Sequence, residues 1–356
     1  MLKYFHAWNC VFEGLPRPFW NLLKHFSDLE YAWEKAGLAQ LELKGLRGPY
    51  IESFIKLKKS GDPFGQFDDF AKNGIKMFSF RDSGYPSALR NLNNHLPPPV
   101  LYIKGNIPTD RTYLSIVGTR GMTSYGEQVT SYLIKKLAAY KICIASGLAR
   151  GIDMTAHINA VNNGIPTVAI LGYGQYTVPF HLIGICNKII ENGALISEYP
   201  PHLKAQKYYF PLRNRIISGI SKATLVIEAG EKSGALITAK YALDQGREIM
   251  AIPGNIYQEK SIGTNRIIGE GSASLVASFN DILDVLGIDK KDGSLAELAS
   301  LNQKSVLDAL SREPLSRAQL IKKTKLSPQE INVVLTELEI ESYVNKNRAG
   351  NYYIIC

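Results

Sequence analysis

The sequence predicts an α/β protein. A doubly wound, Rossmann-like parallel sheet follows an N-terminal helical module and precedes a C-terminal winged-helix module. Three observations carry this. From Tyr113 onward, short continuous apolar runs alternate with segments of helical length, the pattern of strands buried on both sheet faces. Before residue 65, apolar residues recur at helical spacing between glycine breaks. After residue 299, three amphipathic stretches precede two apolar runs that flank a turn.

In the first module, Phe19-Trp20, Leu22-Leu23, Phe26, Tyr31, Trp33, Leu41, Leu43 and Leu46 read as short amphipathic helices. Gly45 and Gly48 punctuate them, and Gly61-Asp-Pro63 marks the exit, giving a helical (SAM-like) module over residues 1–65. Helix, glycine turn, helix suits contact with a DNA backbone, and equally a plain packing domain. The larger domain spans 66–288 and begins with short strands and the tight Leu96-Pro-Pro-Pro99 segment. Its strands are expected at Leu114–Val117, Ile142–Ala145, Thr167–Leu171, Ala194–Ile196, Leu225–Ile227, Ile249–Ile252 and Ala273–Val276. Residues 289–299 form a charged, glycine-containing linker.

In the last module, residues 300–356, helices are expected at Asn302–Ser311, Ser316–Thr324 and Ser327–Leu338. Ser316 and Ser327 are candidate N-caps, with Gln319 and Glu330 at capping-box spacing and Pro328 at the first helical position. The recognition-type helix carries Glu330 and Glu337 and no Lys or Arg, poor chemistry beside phosphates. A protein-contact or structural role is expected there.

Composition narrows the function classes. With 45% hydrophobic and 21% charged residues among 356, disordered, collagen-like and coiled-coil chains are excluded. No apolar run approaches the roughly 20 residues that cross a bilayer. Four cysteines (Cys10, Cys143, Cys186, Cys356) lie far apart without a CxxC, which argues against zinc fingers and a disulfide framework. The first fourteen residues lack a secretory apolar stretch. A cytoplasmic protein with no membrane partner and no metal is expected. The net charge of +9 is spread along the chain and locates no binding face.

Ligands of a doubly wound sheet gather at the carboxyl ends of its strands, where the informative residues fall. Val117-Gly-Thr-Arg120 is followed by Thr123-Ser-Tyr-Gly126, which opens a helix. Gly118 permits close backbone approach, the helix N-terminus offers N–H groups to an anion, and Arg120 adds a bidentate fork. A plain strand–helix turn would also need Gly118. Ser146-Gly-Leu-Ala-Arg-Gly-Ile-Asp153 ends the next strand, and His157 shares a helix face with Asp153. Without a partner nucleophile, that pair reads as structural. In Phe210-Pro-Leu-Arg-Asn-Arg-Ile-Ile-Ser-Gly219, a helix would bury Ile216, Ile217 and Ile220 and line its other side with Asn214, Ser218 and Ser221. Arg213 and Arg215 would stand near the sheet edge, suited to phosphate oxygens or to structural ion pairs. Lys232, Ser233 and Gly234 form a phosphate-cradle-like turn with Ser233 as N-cap. Neither GxxxxGK[ST] nor a full GxGxxG occurs, so neither P-loop ATP hydrolysis nor a dinucleotide cofactor is expected, and no cofactor is assigned. Several anion-binding turns converge without a nucleophile or metal set, which favours binding a polyanion over catalysis.

These residues, with Ser197-Glu-Tyr-Pro200, Glu231-Lys-Ser-Gly-Ala-Leu-Ile-Thr238 and Gly263-Thr-Asn-Arg266, resemble the DprA/Smf family densely over residues 75–285. The resemblance implies a non-enzymatic, homodimeric protein that binds single-stranded DNA. It implies further that the protein protects incoming DNA during natural transformation and helps load the RecA recombinase. Carried onto this chain, it makes Gly118, Thr119, Arg120, Ser146, Gly147, Arg150, Gly151, Arg213, Asn214, Arg215, Lys232, Ser233, Gly234, Asn265 and Arg266 the DNA-binding set. One departure stands out: the family's GxG turn continues with an Asp and a Tyr-Pro, whereas here it reads Gly172-Tyr-Gly-Gln-Tyr-Thr-Val-Pro179. The alternative is an enzyme, since nucleotide phosphoribohydrolases of the cytokinin-activating type resemble the same core. Their PGGxGTxxE glutamate, however, is matched here by Thr238.

Overall fold

A computed structural model describes residues 1–289, 301–311, 313–340, 343–347 and 349–354. The chain divides into two units, Met1–Leu286 and Gly287–Cys356. Most of the expected linker, from residue 290 onward, lies outside the described residues.

Six helices open the first unit: α1 (Leu2–Val11), α2 (Pro16–His25), α3 (Leu29–Glu34), α4 (Leu38–Leu43), α5 (Pro49–Ser60) and α6 (Pro63–Lys72). Their starts follow local chemistry. Asp28 accepts from the Glu30 and Tyr31 amides, Asp62 accepts from the Gly65 amide at 2.7 Å, and Pro49 and Pro63 occupy first helical positions. Their inner faces build an aromatic core in which Trp8 stacks on Phe54 at 5.1 Å and meets Trp33 edge-on at 5.3 Å. A fully buried side chain of this size contributes roughly 1.5–3 kcal/mol. The same core takes Ile75 and Met77 of β1 (Ile75–Ser79) and Val100 and Tyr102 of β2 (Val100–Gly105). The expected boundary at residue 65 therefore falls inside α6. The helices share a core with the sheet edge rather than forming a separate module.

The sheet continues as β3 (Thr112–Val117), α7 (Ser124–Leu137), β4 (Ile142–Ser146), α8 (Ile152–Asn162), β5 (Thr167–Ile170), α9 (Ile183–Glu191) and β6 (Gly193–Ser197). It then runs through α10 (Tyr209–Ile220), β7 (Ala223–Val226), α11 (Gly234–Asp244), β8 (Glu248–Ala251), α12 (Ile262–Gly269), β9 (Ser274–Leu275) and α13 (Phe279–Leu286). Strand order is β1-β2-β6-β5-β4-β3-β7-β8-β9. The strands from β6 to β9 pair in parallel, and β2 joins β6 antiparallel. β4, β5 and β6 are buried at every position, as continuous apolar runs require. All seven strands expected from the sequence are present. Among the described residues, no helix is long and apolar enough to cross a membrane.

The second unit contains α14 (Leu301–Leu310), α15 (Arg317–Thr324), α16 (Pro328–Ile340) and the antiparallel pair β10 (Val344–Lys346) and β11 (Tyr352–Ile354). Both expected capping boxes form: Ser316 with Gln319, and Ser327 with Glu330 at 2.8 and 3.2 Å. Its own core, including Val306, Leu320, Ile331, Leu335 and Leu338, completes the winged-helix fold.

Candidate nucleic-acid interface

The strand order places the site. From β3 the chain winds through β4 and β5 to β6, then returns through α10 to β7 on the other side of β3. Loops after β3 and β7 therefore diverge and leave a crevice at their carboxyl ends. A cleft of about 710 Å³ opens there.

Its first wall is the loop after β3. Gly118 is required by close packing, since a Cβ would fall 2.5 Å from Ile152. Glu228, buried just beyond β7, ties this loop down. Its carbonyl accepts from the Thr119 amide at 2.8 Å, and its carboxylate accepts from the Thr123 amide at 2.9 Å and the Thr123 hydroxyl at 2.5 Å. This corrects one expectation: the N-terminus of α7 is occupied by the protein's own carboxylate and is not open to an anion. Arg120 stands exposed at the rim and lines the cleft with Gly118 and Thr119.

The loop after β4 touches the first. Gly151 has φ +87°, and a Cβ there would come within 2.3 Å of the Thr119 carbonyl oxygen. The Ser146 hydroxyl donates to Ile116, pinning β4 to β3, and the Gly147 amide donates to Asp153 at 3.1 Å. Burial pushes the Asp153 carboxyl up to about 6, against the pull of Arg213 and of the Gly147, Ala149 and Gly118 amides. His157 instead meets the Thr167 hydroxyl at 2.8 Å. Asp153 and His157 thus have different partners and structural roles. Arg150 is exposed but is not among the residues lining the cleft.

On α10, Arg213 lines the cleft yet is only 4% exposed. Its guanidinium donates to the Gly147 carbonyl at 2.8 Å and to the Ile170 carbonyl, joining the ends of β4 and β5. Arg215 turns the other way, is 2% exposed, and meets the Glu198 carboxylate at 2.5 Å. The two arginines expected to stand together at the sheet edge are thus separated, because consecutive odd positions on a helix lie about 200° apart. Asn214 lines the cleft. Ser218 and Ser221 do not join it: they are buried against Gln245 and Ser115, each at 2.7 Å.

The last wall is the turn after β7. Ser233 caps α11, accepting from the Ala235 amide, while Lys232 and Gly234 stay exposed and the N-terminus of α11 faces the cleft. Asn265 and Arg266 lie outside the lining. Asn265 brackets Gly254 with hydrogen bonds of 3.0 and 2.9 Å, and Arg266 pairs with Glu270 at 3.8 Å.

Three contributors were not singled out from the sequence. Lys260 adds a cation, Phe210 adds an aromatic ring to the wall, and Glu228 positions the first loop. A lone carboxylate ending the apolar run Leu225-Val-Ile227 was the available signal for Glu228; Lys260 had none. The departing loop after Gly174 forms two short turns, and Gln175 is buried, donating to the Tyr102 carbonyl at 2.7 Å.

Known proteins share this architecture. Residues 76–287 match the family described as DNA recombination-mediator protein A, and residues 290–346 match the DprA winged helix domain. Protein Smf of Synechocystis is 30% identical, covering 98% of each chain. DNA processing protein DprA of Bacillus subtilis is 38% identical over 61% of this chain and 73% of its own. The X-ray structure of DprA from Streptococcus pneumoniae superposes with a TM-score of 0.66 at 29% identity, covering 80% of this chain and 98% of that one. A Helicobacter pylori DprA structure, described for its single-stranded DNA binding mode, gives 0.53 at 26% identity, covering 60% and 95%. A family match over more than half the sequence and a relative aligned along nearly all of it agree: the chain belongs to the DprA/Smf family.

Proposed function

We propose that this chain binds single-stranded DNA along the cleft without turning it over. The carrying observation is that Arg120, Lys232 and Lys260 reach one cleft from three different loops, beside the open N-terminus of α11 and the Phe210 ring. Cations and amides suit successive phosphates, and an aromatic face suits an unstacked base. Glu231 and Glu259 on the same rim limit how closely a backbone packs there. Gly118, Thr119, Ser233, Gly234 and Asn214 line the strand's path. Arg213, Arg215, Ser146, Gly147, Gly151 and Asn265 act by holding loops and strand ends, and Arg150 and Arg266, outside the lining, contribute at most through charge. Thr238 puts a buried hydroxyl where the hydrolase resemblance would need a glutamate. The relatives' names and the single-strand binding described for the Helicobacter protein support this reading. Protection of incoming DNA, RecA loading, a homodimer and a cytoplasmic location, which the family resemblance implies, complete the proposal.

The direct test is fluorescence anisotropy with a dT oligomer against a duplex of equal length. Single strands should bind more tightly, with little sequence preference, and affinity should fall steeply with salt. Equal or tighter binding to a defined duplex would overturn the reading. A chain ending at residue 289 should retain most of its affinity, since every cleft residue precedes that point and α16 carries Glu330, Glu337 and Glu339 without a cation. Loss of binding in a truncated chain whose circular dichroism shows it folded would place part of the site in the winged helix.

A further inference from the structure

The cleft is not the only cavity among the described residues. A second, of about 630 Å³, lies at the opposite end of the sheet, where β3, β7 and β8 begin and β2 ends. The length of β3, about 20 Å, separates it from the cleft. Its size is in the range of small-molecule sites. Four cations line it: Lys76, Arg111, Lys222 and Arg247. Among the described residues, no carboxylate does. Asp82, near in sequence, is held by the Ser79 amide and hydroxyl at 2.6 and 2.7 Å, and Asp110 lies outside the lining.

Three of the cations are partly engaged. Lys76 donates to the Asn106 side-chain oxygen at 3.0 Å, which leaves its other two ammonium protons for a ligand. Lys222 donates to the Leu286 carbonyl at 2.6 Å, and Arg247 donates through Nη2 to Ala88 and Gly219 at 3.0 and 3.2 Å. The Arg247 Nε is buried and has no partner among the described residues, an arrangement that is costly unless an acceptor is supplied. Arg111 makes no hydrogen bond or ion pair among the described residues and is half-buried at the mouth. The inner wall is aromatic. Tyr113 spends its hydroxyl on the Pro108 carbonyl at 2.6 Å, so with Phe78 it offers ring surface. Tyr85, 2% exposed and covered by Arg90, donates to the Pro98 carbonyl at 2.8 Å and only backs the wall. Flat apolar walls under a cationic rim select a molecule with a planar ring and a negative group.

We propose that this cavity is a second binding site, for a nucleoside 5′-phosphate, separate from the strand-binding cleft. Arg111 and Lys76 take the phosphate, and the base lies against Phe78 and Tyr113. The ligand is either a free nucleotide or the 5′-terminal nucleotide of a strand, which present the same chemistry.

The test titrates fluorescent methylanthraniloyl-AMP into the full chain, alone and saturated with a dT oligomer lacking a 5′-phosphate. The dye should bind in both cases. Arg111→Ala should weaken it at least about tenfold, and so should Ser83→Trp, which fills the exposed mouth. Arg120→Ala should leave it unchanged. Both cavity variants should bind the dT oligomer as the parent does, which separates this proposal from the DNA reading. Release of dye by a 5′-phosphorylated oligomer identifies a strand end as the source, and release by AMP alone identifies a free nucleotide. Absence of dye binding, or binding that Arg111→Ala and Ser83→Trp spare and the unphosphorylated oligomer displaces, would overturn it.

Discussion

Arg215→Ala is expected to destabilise the first unit by about 3–5 kcal/mol, because it strands a buried carboxylate. Glu198 is 1% exposed and Arg215 2%. Burial pushes the Glu198 carboxyl up to about 7, and Arg215 opposes that rise by charge and hydrogen bond. The pair is also incompletely matched: Glu198 Oε1 and Arg215 Nε and Nη1 have no partners among the described residues. Replacing both residues, as in Glu198→Leu with Arg215→Met, should therefore cost much less than Arg215→Ala alone, since neither charge remains to be buried. Urea denaturation checks both statements. A midpoint unmoved by Arg215→Ala, or a double variant as unstable as the single, would contradict them.

Arg120→Ala and Lys232→Ala are expected to weaken single-strand binding by roughly ten- to hundredfold each, the loss of about 1.5–3 kcal/mol for a charged hydrogen bond. Both side chains are exposed, so the fold should be unaffected. The salt dependence should flatten in each variant, because fewer counterions are displaced. Arg120→Lys should recover only part of the affinity, keeping charge but losing the planar fork. Lys188→Ala, exposed on α9 and outside the cleft, serves as the control. If Arg120→Ala and Lys188→Ala bind alike in anisotropy titrations, the site lies elsewhere. Arg213 is unsuited to this experiment, since its removal frees the Gly147 and Ile170 carbonyls.

The periodicity of apolar residues located the strands because β4, β5 and β6 are buried on both faces, and burial is what an apolar run records. The caps at Ser316 and Ser327 were legible because capping chemistry is local. Side-chain direction at the site was not. Arg213 and Arg215 look equivalent in sequence, and only the packing of α10 turns one toward the strand ends and the other toward Glu198. The boundary at 65 failed for a related reason: the residues that complete the helical core, Val100 and Tyr102, are distant in the chain. Glu228 was missed because the amide and hydroxyl it engages belong to Thr123, on a loop more than a hundred residues earlier.

That same junction has a consequence for how the molecule forms. Val117 pairs with Val226, so the crevice between β3 and β7 requires closing a loop of about a hundred residues. In an unfolded chain such a closure would carry a chain-entropy penalty on the order of 4 kcal/mol. It is smaller once β4 to β6 have formed within the span, and it is recovered only when β7 is in place. Each loop around the cleft has glycines and caps that order it locally. Their meeting is a late, long-range event, and a nascent chain that has emerged only as far as β6 has its β3 and β4 loops but no crevice between β3 and β7 for a strand to enter.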